Sequence, residues 1–231
     1  SYTLQQLDPS NALLSRGSRF RLSAEHIRDQ ALAQSGLLAP RIGGPSVKTY
    51  HPGDLWRQVS HYGSSPATAQ TYHRDNGEKL YRRSLYTYWK RTLPPPSMSV
   101  FDAPNRETCS VGRGSTNTPL QAFILLNSPQ FIEASRVLAA QLLREEYTDD
   151  RARLTAAFTR VTGRSPLDDE LALLEKSLSS ELAKYNTNPA DAKQLLVIGD
   201  HPRANLPEPR HAAWTNVCQL LLNLSETVTR H

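Results

Sequence analysis

The sequence predicts a mainly α protein, with a helical C-terminal body packed on a loop-rich N-terminal part that holds helices and has room for a small β-sheet. Three observations carry this. From Thr118 onward, apolar residues recur at helical spacing in successive segments punctuated by Pro, Gly and Asn. Between Gly36 and about Gly77 that spacing vanishes, over a stretch too long for an ordinary connector. The 231 residues are 38% hydrophobic with a mean hydropathy of -0.53, enough to bury one sizeable core. No apolar run approaches the roughly eighteen residues of a membrane span. The chain is taken as one unit, 1–231, with helices, long loops and a small sheet over 1–117 and the helical body over 118–231.

In order along the chain, "DPSNALLSR" predicts a first helix, with Asp8 as N-cap and Pro9 at the first position. "LSAEHIRDQALAQSG" predicts a second, with Leu22, Ala24, Ile27, Ala31 and Leu32 as its stripe and Gly36 as its stop. Arg21 and Glu25 have the spacing of an exposed ion pair on it. Gly43-Gly44-Pro45, His51-Pro52-Gly53 and Gly63 through Pro66 punctuate the long loop, which leaves room for a short helix over Leu55–Ser60. Such a stretch is an ordered cover or a functional loop.

"LYRRSLYTYWKR", residues 80–91, packs four aromatics and four cations into twelve positions. Strand and helix periods both fit it. The preceding Asn76-Gly77 turn and the following Pro94-Pro95-Pro96 favour an extended segment. Leu85 and Trp89 share a face under either period and are expected to be buried. "SVFDAPNRETCSVGRGSTNTP" then reads as loop or short strand.

Pro119 opens a helix through Leu126, and Asn127-Ser128-Pro129 restarts one to about Glu145. "DDRARLTAAFTRVTG" stops at Gly163. "SPLDDELALLEKSLSSELAKY" offers Ser165 as N-cap, Pro166 behind it, and Asp168 and Asp169 in the first turn. A short helix follows to Gly199, then a Pro-rich loop over His201–Pro209, then a closing helix with Trp214, Val217, Cys218, Leu221 and Leu222 inward. "ILLNSPQFIEA" and "LLLNLSETVTR" echo each other, which hints that two helix junctions pack side by side, each Asn capping the next helix.

Charge is uneven. Residues 1–120 carry fifteen Lys/Arg against eight Asp/Glu, a net +7, and the remainder carries -2. An anionic partner should therefore meet the first half. Cys109 and Cys218 lie far apart, so one disulfide and two free thiols both stay open. No C-x-x-C supports zinc or haem attachment, so no metal and no cofactor is expected within this chain.

Gly-x-Ser-x-Gly, His-Glu-x-x-His, Walker A and Rossmann signatures are missing, and Gly112-x-Gly114 reads as a turn. His51, His61 and His73 sit on loops without ligand spacing. The densest polar cluster is Asp102, Arg106, Arg113, Thr116, Asn117 and Thr118. Asp102 can orient Arg106 or Arg113 as an anion fork, or the whole cluster can pin a loop to the helical body. The candidate binding surface is Arg82, Arg83, Tyr86, Tyr88, Lys90 and Arg91, aromatics interleaved with cations that suit sugar rings or acidic polymers. Of these, Tyr86, Tyr88 and Lys90 are expected to be the more exposed.

The block "YRRSLYTYWKRTLPPPSMSVFDAPNRETCSVGRGSTNTPLQAFILLNSPQF", together with "RFRLSAEHIRDQALAQSG", "GGPSVKTY" and "LLLNLSETVTR" in the same order, resembles the planctomycete-specific PSD domain. That is a C-terminal domain of unknown function in planctomycete cytochrome c-type proteins. The resemblance covers nearly the whole chain and implies an exported, periplasmic protein whose haem c belongs to an upstream domain. It also implies a link to sulfated polysaccharide breakdown or electron transfer. No signal segment is visible in this chain. With Ser1 first and Met98 the single Met, the sequence reads as a processed chain or a fragment. Arg82, Arg83, Tyr86, Trp89, Lys90, Arg91, Asp102, Arg106, Cys109, Thr116, Asn117 and Thr118 match the family pattern, which assigns them no role. "VGRGSTNTP" departs from the usual Arg pair before Thr-Asn-Thr-Pro, which weakens an anion site at Arg113.

The expectation is a non-catalytic accessory or interaction domain that contacts upstream domains of its own chain or an acidic, sulfated glycan. The alternative is part of a polysaccharide-active or redox enzyme with a polar site around Asp102 and Arg106. Nucleic-acid binding ranks below both, for want of a helix-turn-helix or RNP motif.

Overall fold

The computed structural model describes residues 6–15, 17, 20–60, 69–109 and 111–230. His61 and the Gly63–Pro66 turn of the sequence reading lie outside them. The protein is mainly α, with a helical C-terminal body and one two-stranded antiparallel sheet. No helix among the described residues is long and apolar enough to cross a membrane.

Two helices form the centre of the body. Counting β1 as Phe20–Arg21 and α1 as Ala24–Gln34, the chain continues through α2 Leu55–Val59, α3 Pro96–Ser99, α4 Pro119–Asn127 and α5 Pro129–Arg144. It closes with α6 Asp150–Thr162, α7 Asp168–Thr187, α8 Pro189–Leu196, α9 Glu208–Leu222, α10 Ser225–Val228 and β2 Thr229–Arg230. Helices α5 and α9 pack most extensively on each other, and α7 and α8 flank α9. Both central helices are buried on nearly every face, polar residues included: Glu133, Ser135 and Arg136 on α5, His211 and Thr215 on α9. Burial all round is the signature of a helix inside a core rather than on its surface.

The predicted glycine stops hold, and two N-caps that the sequence did not single out stand at helix starts. Ser23 and Asp149 accept from backbone N–H groups as N-caps of α1 and α6, while Gly36 and Gly163 follow their helices at φ +70° and +83°. Helix α7 is different. It starts at Asp168, not behind Ser165 and Pro166. Arg164 is gripped by Glu170 on one side and Glu226 on the other, and Glu170 also accepts from Leu167 N at 2.8 Å. These bonds hold 164–167 outside the helix.

The first predicted helix is a series of turns. Asp8 accepts from Ala12 N at 2.9 Å and Leu13 N at 3.0 Å but caps no helix, because Asn11 and Leu14 take left-handed conformations that a helix cannot contain. The Arg21–Glu25 pair does not form either. Glu25 meets Arg113 at 2.7 Å, and Arg21 donates to Asn117 at 3.1 Å, so both tie the 111–117 loop to α1 and β1.

The two echoed junctions do lie together: Gln219 donates to Leu126 O, and Leu125 and Phe131 share a small cavity wall with Leu222 and Val228. Asn127, however, donates back to Phe123 O and so closes α4 instead of opening α5. Buried residues from both halves form a single apolar cluster.

Residues 77–93 form neither a regular strand nor an α-helix. Two 3-10 turns, Gly77–Tyr81 and Ser84–Tyr86, alternate with single-residue bridges, Ala39 to Arg82 and Val47 to Thr87. The physical reason lies on α1. Arg28, fully buried, donates to Leu80 O at 2.6 Å and Arg82 O at 2.9 Å, and Asp29 accepts from Ser84 N at 2.7 Å. Side chains supply the partners that a neighbouring strand would otherwise provide. Burial lowers the Arg28 pKa to about 10, against the opposing pull of Asp29.

Candidate ligand cleft

Two chain segments build the most developed cleft. Lys48 N donates to Asp75 Oδ2 at 2.7 Å and Asp75 N to Lys48 O at 2.9 Å, which locks residues 48–57 beside 69–75. Tyr72 donates to Thr49 O at 2.6 Å, fixing its ring. His51 stacks on Tyr72 with centroids 4.6 Å apart and planes at 28°. Trp56, placed by the single turn of α2 and only 3% exposed, meets Tyr72 edge-on at 5.1 Å. The cleft has a volume of about 490 Å³, with Asp54, Arg57, Gln70 and Arg74 beside these rings.

Cations back the aromatic wall. Lys90 Nζ sits 4.3 Å from the Trp56 ring centroid, and Lys48 Nζ lies 5.5 Å from Trp56 and 5.3 Å from Tyr88. Lys90 is held by Ser60 Oγ at 2.8 Å and Ala69 O at 2.7 Å, and burial lowers its pKa. Arg57 stands exposed at the mouth. Arg74 is shared: its guanidinium lies over Tyr50 and it bonds Asp200 at 2.8 Å.

Two buried polar atoms at this wall have no partner: Trp56 Nε1 and His51 Nε2. His51 Nδ1 stands 2.8 Å from Pro52 O, a carbonyl that can only accept. Nδ1 therefore carries a hydrogen and donates it to that carbonyl. The cleft thus offers stacked rings and the exposed Arg57, with Trp56 Nε1 and His51 Nε2 enclosed behind that surface. Unsatisfied buried groups of this kind cost about 1–3 kcal/mol each. A second, apolar pocket of about 310 Å³ lies across His51 and Pro52, lined by Tyr50, Pro96, Phe123 and Ile124.

The structure redistributes the residues of the 80–91 stretch. Arg82 is buried and donates to Pro45 O at 2.9 Å and to Gly43 O, with its guanidinium 3.9 Å from the Tyr86 ring centroid. Tyr86 accepts from Gly43 N, so the pair pins the Gly-rich 41–45 loop. Lys90, expected at the surface, is buried behind Trp56. Tyr88 is half-buried against the same ring. Leu85, expected to be buried, is 67% exposed, because the 3-10 turn at Ser84–Tyr86 turns it outward. Trp89 is half-buried, donates to Asn105 O at 3.0 Å and carries the Arg106 guanidinium on its face at 4.4 Å. Arg83 is exposed, 3.8 Å from Asp29, and Arg91 is exposed.

The polar cluster separates into fasteners. Asp102, at φ +59°, accepts from Thr116 N at 2.7 Å and from Thr116 Oγ1. Gln121 then bonds Thr116 Oγ1 and Val100 O, and accepts from Thr118 N. Arg106 goes to Trp89, Arg113 to Glu25 and Asn117 to Arg21. Asp102 orients neither arginine. Neither Asp102 nor Arg106 lines the aromatic cleft or the apolar pocket.

Trp56, Arg57, Tyr72, Arg74 and Lys48 escaped the sequence reading. "HPGDLWR" and "TYHR" carried the signal, aromatics and cations on ordered loop, but their convergence depends on the Lys48–Asp75 clasp. Cys109 is exposed and Cys218 buried, both as free thiols. Among the described residues no three His, Cys, Asp or Glu side chains group as metal ligands.

A family model described as PSD1, protein of unknown function (DUF1553), matches residues 1–178, a span that includes every cleft residue named above. Comparisons with curated proteins and with solved structures return no match.

Proposed function

The chain belongs to the PSD1 (DUF1553) family of unknown function, and we propose that it is a non-catalytic binding module whose cleft takes an acidic saccharide unit. The observation that carries this reading is the stack of His51 on Tyr72, with Trp56 edge-on to it, in one cleft that the exposed Arg57 also lines. Sugar rings present apolar C–H faces to aromatic rings and hydroxyls to polar atoms. Arg57 at the mouth and the Lys48–Lys90 pair behind the wall supply the preference for a sulfate or carboxylate substituent. Asp54 opposes them at the rim, so recognition is of charge placed near Arg57 and not of a uniformly basic surface.

The wider setting implied by the resemblance is consistent with this role: an accessory domain of an exported, multidomain cytochrome c-type protein acting near sulfated polysaccharide. A catalytic role around Asp102 has less support, since both its oxygens accept from Thr116.

A glycan array with sulfated, uronate and neutral oligosaccharides tests the proposal. Sulfated or uronate glycans are expected to bind in preference to neutral ones, and Arg57→Glu to weaken them by about tenfold or more. Equal binding by Arg57→Glu, or equal binding of neutral and acidic glycans, would overturn it.

A further inference from the structure

A separate cavity lies along the C-terminal half of α5, between the Ser35–Leu37 turn and residues 201–204. Its volume is about 200 Å³, and Arg136, Gln141, Arg144 and His201 line it. Arg136 and Arg144 stand two helical repeats of four apart on one face of α5, with the small Ala140 between them.

Arg136 is only 2% exposed, and its charge is poorly compensated. Nη2 donates to His201 O at 2.7 Å, Nη1 reaches Pro202 O at 3.5 Å, and Nε finds no acceptor. Its nearest carboxylate, Glu133, stands at 4.0 Å. Glu133 is otherwise engaged by Tyr50 and Tyr81 at 2.9 Å, Asp200 N at 2.5 Å and His201 N at 2.6 Å. Arg144 makes no ion pair with a described carboxylate, while the neighbouring Glu145 is held by Arg160. Arg203, the next cation along the 201–204 wall, is drawn off by Glu208 at 2.8 Å. The arginines must also outweigh the unfavourable end of the α5 dipole. A buried guanidinium with a free N–H beside a second, unpaired one is the equipment that recognises oxyanions.

We propose that this cavity is a binding site for a tetrahedral oxyanion of the sulfate class, held between Arg136 and Arg144. The site is separate from the aromatic cleft and stands whether or not that cleft binds glycans. The same chemistry can reach it as free sulfate or as a sulfate ester on a sugar.

Calorimetric titration of the whole chain with sodium sulfate and with glucose 6-sulfate, against sodium chloride at matched ionic strength, tests it. Saturable sulfate binding is expected, weakened about tenfold by Arg144→Gln and abolished by Arg144→Glu, with Lys176→Glu, an exposed cation of α7 outside both cavities, unchanged. Preference for glucose 6-sulfate that Arg144→Glu removes would identify the ester as the source, and preference for inorganic sulfate that the same variant removes the free ion. Both Arg144 variants alter an exposed side chain, so their thermal unfolding should match the parent. Absence of saturable binding, or binding lost in Arg57→Glu and kept in Arg144→Glu, would overturn the proposal.

Discussion

Gly199 lies so close to Glu133 that a Cβ on Gly199 would stand 2.6 Å from Glu133 Oε1. The backbone there is at φ +103°, a region open to glycine alone. Asp200 and His201 can donate to the buried carboxylate because the chain approaches it without a side chain. Gly199→Ala should therefore cost about 2 kcal/mol or more, read as a lowered urea midpoint with an unchanged slope. Glu133 cannot move aside cheaply, since four donors and Arg136 hold it. A midpoint within error of the parent would contradict this account of the hub.

Arg28 carries the placement of residues 80–84. Arg28→Ala leaves Leu80 O, Arg82 O and Gln130 Oε1 without their donor and should destabilise by about 3–5 kcal/mol. Arg28→Lys should recover only part, because one ammonium cannot span the three acceptors. Hydrogen exchange gives the local readout: amides of 80–88 should lose protection before those of α9.

These two residues show what was legible. The helices read well because their signals are local: Gly36 and Gly163 as stops, apolar stripes before them. Helix α7 misled because the determinant of its start, the clasp of Arg164 by Glu226, comes from sixty-two residues away. Leu85 and Trp89 misled because periodicity assumes a regular element, and Arg28 and Asp29 replaced the regular element with turns. The cleft was least legible of all. His51, Trp56 and Tyr72 belong to a loop without period, and only the Lys48–Asp75 bonds bring them together.

Acid should weaken the fold through Glu170. Arg164 and the Leu167 N–H hold its carboxyl down to about 2 from an ordinary value of 4.5. The unfolded chain then binds the proton more readily than the native one, so this stabilisation is complete above pH 4.5 and is lost as pH falls toward 2. Melting temperature should fall over that window, and the fall should be shallower in Glu170→Gln. An identical slope in both proteins would remove the Arg164 clasp from the account.

The two thiols should differ sharply. Cys109 is exposed, whereas burial pushes the Cys218 thiol well above its usual range. One thiol should react promptly with a disulfide reagent in the native protein, and the second only on unfolding. Prompt reaction of both would place Cys218 nearer the surface than α9 allows.

The most direct test of the binding cleft is the indole N–H of Trp56 in a ¹H–¹⁵N spectrum during titration with a sulfated tetrasaccharide. Trp56 Nε1 is buried without a partner at the cleft wall, Trp89 Nε1 is already bonded to Asn105 O, and Trp214 is fully enclosed. The Trp56 signal should shift in a saturable way while that of Trp214 stays fixed, and Arg57→Glu should suppress the shift. A Trp56 signal that stays fixed while the saccharide binds would contradict the assignment of the cleft as its site.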